Sequence, residues 1–223
     1  MQGIYSGIKS LIFPQLCIIC SAIGSRICSN CNKSWLTSPI KSRVDQIPLY
    51  FTTEYDEDIE TILLLAKESG NKTAIDILST ALVNSIIFLM SENQIEFPIN
   101  IIPIPSSKRA IRKRGRNHIE EHCEEVIAKL HGNSIFAQKV SIIYHKKKIK
   151  DQSNLNRSQR LKNLKNAYTL SGVLPKTGST ILLDDVVTTG SSILEAARAL
   201  SEAKITILGA VTACAVGRNS LIR

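Results

Sequence analysis

Thr180-Ile-Leu-Leu-Asp-Asp-Val-Val-Thr-Thr-Gly-Ser-Ser192 is the stretch whose reading decides the fold. A short apolar run ends in two adjacent carboxylates, continues through two valines, and passes into five small or hydroxylated residues. The apolar run reads as a buried strand and the small residues as the opening of a helix over Ser191 to Ala203. Open α/β sheets bind ligands at the carboxyl ends of their strands, where this segment would lie. Thr188 to Ser192 offers backbone N–H groups, hydroxyls and a helix start, which together suit a phosphate dianion. Gly190 admits the ligand without a side chain in the way. Asp184 and Asp185 would repel phosphate and suit the hydroxyls of a ribose instead. No Gly-Lys-Ser/Thr follows the strand, so a nucleoside-triphosphate loop is excluded. A capped strand-to-helix turn without a ligand is the bland alternative.

Outward from this segment, strands and helices alternate. Helices are expected near Asp58 to Lys67, from Thr73 to Met90 and from Asn117 to Leu130. Strands are expected at Asn100 to Pro105, Val140 to Tyr144 and Ile205 to Ala215. Such alternation predicts an α/β fold with a mostly parallel sheet. His145 to Asn166 is polar and long for a connection, which marks a functional loop. Thr37 to Pro48, with two prolines and mixed charge, reads as a linker. The domain division is therefore 1-36, a small ribbon; 37-48, a linker; and 49-223, the α/β domain.

The chain has 223 residues, 43% hydrophobic and 21% charged, which excludes a disordered or collagenous protein. Its richest apolar stretch, Leu82 to Met90, is interrupted by Asn84 and Ser85, and Leu11 to Ile19 makes a poor signal sequence. A cytoplasmic protein with no transmembrane segment is expected. The net charge of +9 is local: Ile101 to Asn166 holds 16 basic against 5 acidic residues, a net of +11. That concentration predicts an anion site there, for a phosphorylated small molecule, a nucleic-acid backbone or an anionic membrane. A solvated lysine-rich loop is the competing explanation.

Cys17-x2-Cys20 and Cys28-x2-Cys31 place four thiols within fifteen residues. Two such turns face to face make a tetrahedral S4 site, which suits structural zinc. Two disulfides or a redox pair are the alternatives. A reducing compartment disfavours the first and the doubled motif the second. Cys123 and Cys214 lie in apolar-periodic segments and read as core. The four histidines show no triad or metal spacing; His118, at a helix start beside the basic run, reads as a surface cap, with contact to a phosphate as the alternative.

The thirteen residues 180–192 resemble the phosphoribosyl pyrophosphate (PRPP) signature of type I phosphoribosyltransferases. Over nearly its whole length the chain also resembles the ComF (ComFC/GntX-like) family of competence proteins. The matching features are the cysteine ribbon, Leu-Ala-Lys67 followed by Gly70, and Ile-Pro-Ile-Pro105 with its basic run. Arg114-Gly115-x-Asn117, Gln152-x-x-Leu155, Arg160-x-x-Asn163 and Ala167-Tyr168 continue the match. Arg116 departs from it, because an aromatic usually precedes that asparagine.

The resemblance implies a phosphoribosyltransferase-type sheet carrying a zinc ribbon. It assigns the PRPP ribose to Asp184 and Asp185 and the 5-phosphate to Thr188, Thr189, Gly190, Ser191 and Ser192. The pyrophosphate would lie over Ser106, Ser107, Lys108 and Arg109, accompanied by magnesium, with Lys146 to Asn166 as a hood. It implies transfer of phosphoribosyl to an acceptor, pyrophosphate release, and a part in DNA uptake during natural transformation. Relatives acting on purines carry an aspartate where this chain has Thr188. Relatives using glutamine carry an amino-terminal cysteine where it has Met1-Gln2, so the acceptor is not named. A PRPP sensor, or a single-stranded-DNA-handling adaptor that contacts other competence proteins, is the alternative. Lys146, Lys147 and Lys148 beside Tyr144 are its candidate DNA patch.

Overall fold

The computed structural model describes residues 14–146 and 164–217. Lys147, Lys148, Gln152, Leu155, Arg160 and Asn163 lie outside the described residues, as does most of the expected hood. In chain order the elements are α1 (Ser29–Asn32), β1 (Ile40–Val44), β2 (Ile47–Glu54), α2 (Glu57–Leu64) and α3 (Lys72–Ser91). They continue with β3 (Ile99–Pro103), α4 (Lys108–Arg114), α5 (His118–Gly132), β4 (Ala137–Lys139), β5 (Ile143–His145) and β6 (Tyr168–Leu170). β7 (Thr180–Leu183), β8 (Val186–Val187), α6 (Ser191–Glu202) and β9 (Gly209–Ala215) complete the set.

The main sheet runs β1-β2-β9-β7-β3-β4, with β8 also on β9. Every pairing in it is parallel except β1 with β2. Central strands buried on both faces need unbroken apolar runs, and Thr-Ile-Leu-Leu in β7 is buried throughout. Alternate residues feed two cores. Ile181 and Leu183 join α2, α3 and α5 on one face. Leu182 joins α6 and the β5–β6 hairpin on the other.

Helix starts follow the side chains available. Asp56 Oδ1 accepts from Ile59 N at 2.8 Å and Asn71 Oδ1 from Ala74 N at 3.1 Å, each satisfying a first-turn donor. After α2 the chain widens into a π-turn, Leu65–Ser69, closed by Gly70 at φ 65°. That turn carries Lys67 to the edge of the sheet. α3 is long and apolar enough to cross a membrane by length and composition. Ten of its residues are buried, and it packs on β2, β9 and α5.

Three expectations change. Residues 40–44 of the expected linker form β1, antiparallel to β2, with Val44 opposite Ile47. A two-residue turn and alternating half-buried side chains make a hairpin there despite the prolines. Of the strand expected at Val140 to Tyr144 only Ile143 and Tyr144 are strand, in β5; β4 has already ended at Lys139, and between the two Ser141 turns aside to donate to Glu120 at 2.9 and 3.0 Å. The last strand begins at Gly209 rather than Ile205, where the chain passes so close to Pro48 O that a Cβ would stand 2.7 Å from it.

Candidate functional site

β3 and β7 are parallel neighbours, so the loops that follow them leave the same edge of the sheet. One loop carries Ser106 and Ser107 into α4; the other carries Asp184 to Gly190 into α6. The basic run expected as a loop is therefore partly helix. Ser107 caps it, its Oγ accepting from Ala110 N at 3.1 Å, while Arg112, Lys113 and Arg114 fill its last turn. α4 buries no residue; Arg112 and Lys113 are exposed, whereas Arg114 is half-buried against Glu68 and His118.

β7 and β8 form one line along β9 interrupted at the two acids. Asp184 N donates to Val211 O at 3.1 Å, and Asp185 O accepts from Ala213 N at 3.2 Å. Consecutive strand residues face opposite ways, which gives the acids different partners. Asp185 Oδ2 is 2.9 Å from Lys67 Nζ and 3.0 Å from His118 Nε2. Burial would raise the Asp185 carboxyl, but Lys67 and His118 outweigh it and hold the group well below the usual carboxylate range. Asp184 Oδ1 accepts from Asp185 N at 2.9 Å. Burial, with the Asp185 charge added, holds Asp184 well above the carboxylate range. For Lys67, burial works against its charge and Asp185 more than restores it. The pair thus divides into an ion-paired Asp185 and an Asp184 biased toward its acid form.

The phosphate-cradle candidates lie together at the start of α6. Gly190 is its N-cap residue with φ 73°. Thr189 Oγ1 is 2.8 Å from Ser191 Oγ and accepts from Ser191 N at 3.5 Å. Asp184 to Ser192 is thus a strand end, a tight turn and a helix start within nine residues.

His118 corrects the surface-cap expectation. It does head α5, but it is 5% exposed and inserted between the two loops. Its Nδ1 stands 3.4 Å from both Ser106 Oγ and Arg114 Nη1. One turn on, His122 is fully buried with both ring nitrogens unpartnered, and burial lowers it to about 4. Ser106, His118 and Asp185 are adjacent in space, although the last two are 67 residues apart in sequence. Spacing carried no trace of this. The usable signal was weaker: a histidine at a helix start immediately after a basic run.

Arg116 crosses to the π-turn. Its Nη1 donates to Ala66 O at 3.0 Å and its Nε to Glu121 Oε1 at 3.1 Å. A Cβ on Gly70 would stand 2.2 Å from Nη1. Arg116 thereby braces the segment that presents Lys67. The stem of the expected hood is anchored beside the site as well. His145 Nε2 is 3.1 Å from Pro105 O, and Tyr168 N donates to Glu195 Oε1 at 3.1 Å.

The thiols of Cys17, Cys20, Cys28 and Cys31 all lie within 4.8 Å of one another and fit a metal ion such as zinc. Cys28 N points at Cys17 Sγ at 3.4 Å and Cys31 N at Cys28 Sγ at 3.5 Å, contacts that favour thiolate. Burial opposes ionisation of Cys17, but the backbone N–H groups of Cys20, Cys28 and Ile19 bring it down to about 6. Burial and three neighbouring thiols push Cys31 up. Four crowded sulfurs cannot all ionise without a cation among them. Cys123 and Cys214 are fully buried. No family model matches the chain, and no curated protein matches it.

Proposed function

We propose that the chain is a PRPP-binding, phosphoribosyltransferase-like protein of the ComF kind. It transfers phosphoribosyl to an acceptor with release of pyrophosphate, and it serves DNA uptake. The observation that carries this reading is the pairing of two loops at the carboxyl ends of adjacent parallel strands. One holds two acids and a hydroxyl-rich helix start. The other enters a helix whose last turn holds three cations. A sugar with a phosphate at one end and a pyrophosphate at the other matches that separation of chemistry.

In this reading Thr188 to Ser192 hold the 5-phosphate. Asp184, whose carboxyl is not committed to a cation, takes the ribose hydroxyls. Asp185 is the counter-ion of Lys67 and the hydrogen-bond acceptor that holds His118 at the site. Ser106, Ser107, Lys108 and Arg109 receive the pyrophosphate. The ribose C1–oxygen bond breaks with its electron pair leaving on pyrophosphate, and a bond forms from the acceptor to C1. The chain positions the reactants and neutralises the leaving charge with preset cations. Among the described residues only the four thiols gather as a metal-binding group. Magnesium would be brought to the site by PRPP itself. The thiol cluster holds zinc as a structural ion, since all four positions are protein ligands.

A PRPP titration by calorimetry, with and without magnesium, tests this reading. Asp184→Asn is expected to weaken binding at least about tenfold. A pyrophosphate-release screen over bases and amines then separates a transferase from a sensor that binds without turnover. Absence of PRPP binding overturns the reading.

A further inference from the structure

The basic residues of α4 are not the whole of the anion site, because a buried imidazole forms its floor. His118 has two different nitrogens. Nε2 faces Asp185 Oδ2 at 3.0 Å, and a carboxylate only accepts, so Nε2 carries hydrogen. Nδ1 faces Arg114 Nη1 at 3.4 Å, and a guanidinium only donates, so Nδ1 presents a lone pair. The Ser106 hydroxyl, 3.4 Å from the same nitrogen, can serve either way.

A lone pair is the wrong face to show an anion. A phosphate oxygen drawn in by Ser106 and Arg114 would meet it head on, whereas a proton on Nδ1 makes the same atom a charge-assisted donor. Charges of both signs face the ring. Asp185 lies behind the ring, and Glu68 holds Arg114 Nε at 2.8 Å; both favour imidazolium. Lys67 shares Asp185 Oδ2, and Arg114 faces Nδ1, so both oppose it. From its own helix His122, with ring centroids 6.0 Å apart, adds no charge while neutral. Arg116 is occupied by Glu121. An arriving polyanion cancels the opposition of Lys67 and Arg114 and leaves Asp185 to stabilise the cation.

We propose that His118 is the buried member of this anion site and joins the anion as an imidazolium, one solvent proton entering Nδ1 with each pyrophosphate bound. The inference rests on the reading of Ser106 to Arg109 as the pyrophosphate loop and adds to it the residue that couples binding to protons.

Inorganic pyrophosphate is the probe, titrated into the full-length protein near pH 7.5 in two buffers of different ionisation enthalpy. The wild type should take up more protons than His118→Gln, the excess approaching about one per site, since one imidazole changes state. Gln retains an N–H for Asp185, and zinc content and circular dichroism confirm its fold. A measurement on the wild type alone guards against misfolding of the variant. Side-chain nitrogen spectra should show one imidazole becoming protonated at both nitrogens when pyrophosphate is added. Equal proton uptake in both proteins, or no histidine change on binding, overturns the role of His118 and leaves PRPP binding standing. If PRPP binds and pyrophosphate does not, the proposal also fails. If neither binds, it falls together with the functional reading.

Discussion

Val44 stands directly over Gly190: a Cβ built on the glycine would lie 2.2 Å from Val44 Cγ1. The hairpin formed by β1 and β2 is thereby closed against the start of α6, at a residue whose φ of 73° already favours glycine. Gly190→Ala meets both obstacles, a left-handed backbone and a buried side chain. It should cost about 3 kcal/mol in urea unfolding. Adding Val44→Ala should relieve the steric share and leave roughly 1 kcal/mol of backbone strain. A Gly190→Ala protein as stable as wild type would refute the contact.

Lys67 and Asp185 are a buried ion pair, with side chains 19% and 4% exposed. Removing one partner leaves the other charged and desolvated, so Lys67→Met should destabilise the fold by about 3 kcal/mol. Asp185→Asn in the same chain should recover part of that loss. A double-mutant cycle in denaturant measures the coupling, and additive single effects would show the pair to be energetically silent.

His122 sets an acid dependence. Folded, it binds a proton only near pH 4, whereas an unfolded imidazole does so near about 6.5. The unfolded chain therefore takes up the proton first as pH falls. The stability linked to His122 is complete above about 6.5, declines toward 4 and is then level, with a loss of up to about 3 kcal/mol. His122→Leu should flatten this part of the profile. It should also stabilise the protein at pH 7, because two unpartnered ring nitrogens leave the core. Identical pH profiles for the two proteins would contradict the neutral buried ring.

The thiol cluster makes a count possible. The purified protein should carry one zinc per chain, and a chelator should expose four fast-reacting thiols. Cys123 and Cys214 should stay protected without denaturant, since both are buried and burial raises both thiols, Cys123 to about 12. Cys17→Ser should lower metal content and unfold the ribbon before the α/β core. Six reactive thiols in the native chelated protein would contradict this division.

The parts of the site legible in sequence were those written contiguously. Residues 180 to 192 encode strand, acids, cradle and helix in order, and the four cysteines encode their own turns. β2 was hidden because Pro48 and the Thr52-Thr53 pair dilute the apolar run of a buried strand. α4 was hidden because no buried face marks its period: it is held by the Ser107 cap rather than by packing. The Lys67–Asp185 and Ser106–His118–Asp185 contacts join distant segments through the sheet order, and no local pattern records them. The two acids, alike in sequence, differ because strand alternation turns them to different partners.

Trp35 is the only tryptophan in the chain. It is 5% exposed and belongs to the core cluster against which Ile18, Ile19 and Ile27 of the ribbon pack. Nine residues further on, the same run of chain reaches Val44 above Gly190. The molecule thus carries its single tryptophan in the run of chain that leads from the thiol cluster to the residue over Gly190. Loosening of the ribbon on metal loss should therefore be readable in the tryptophan emission, without any label.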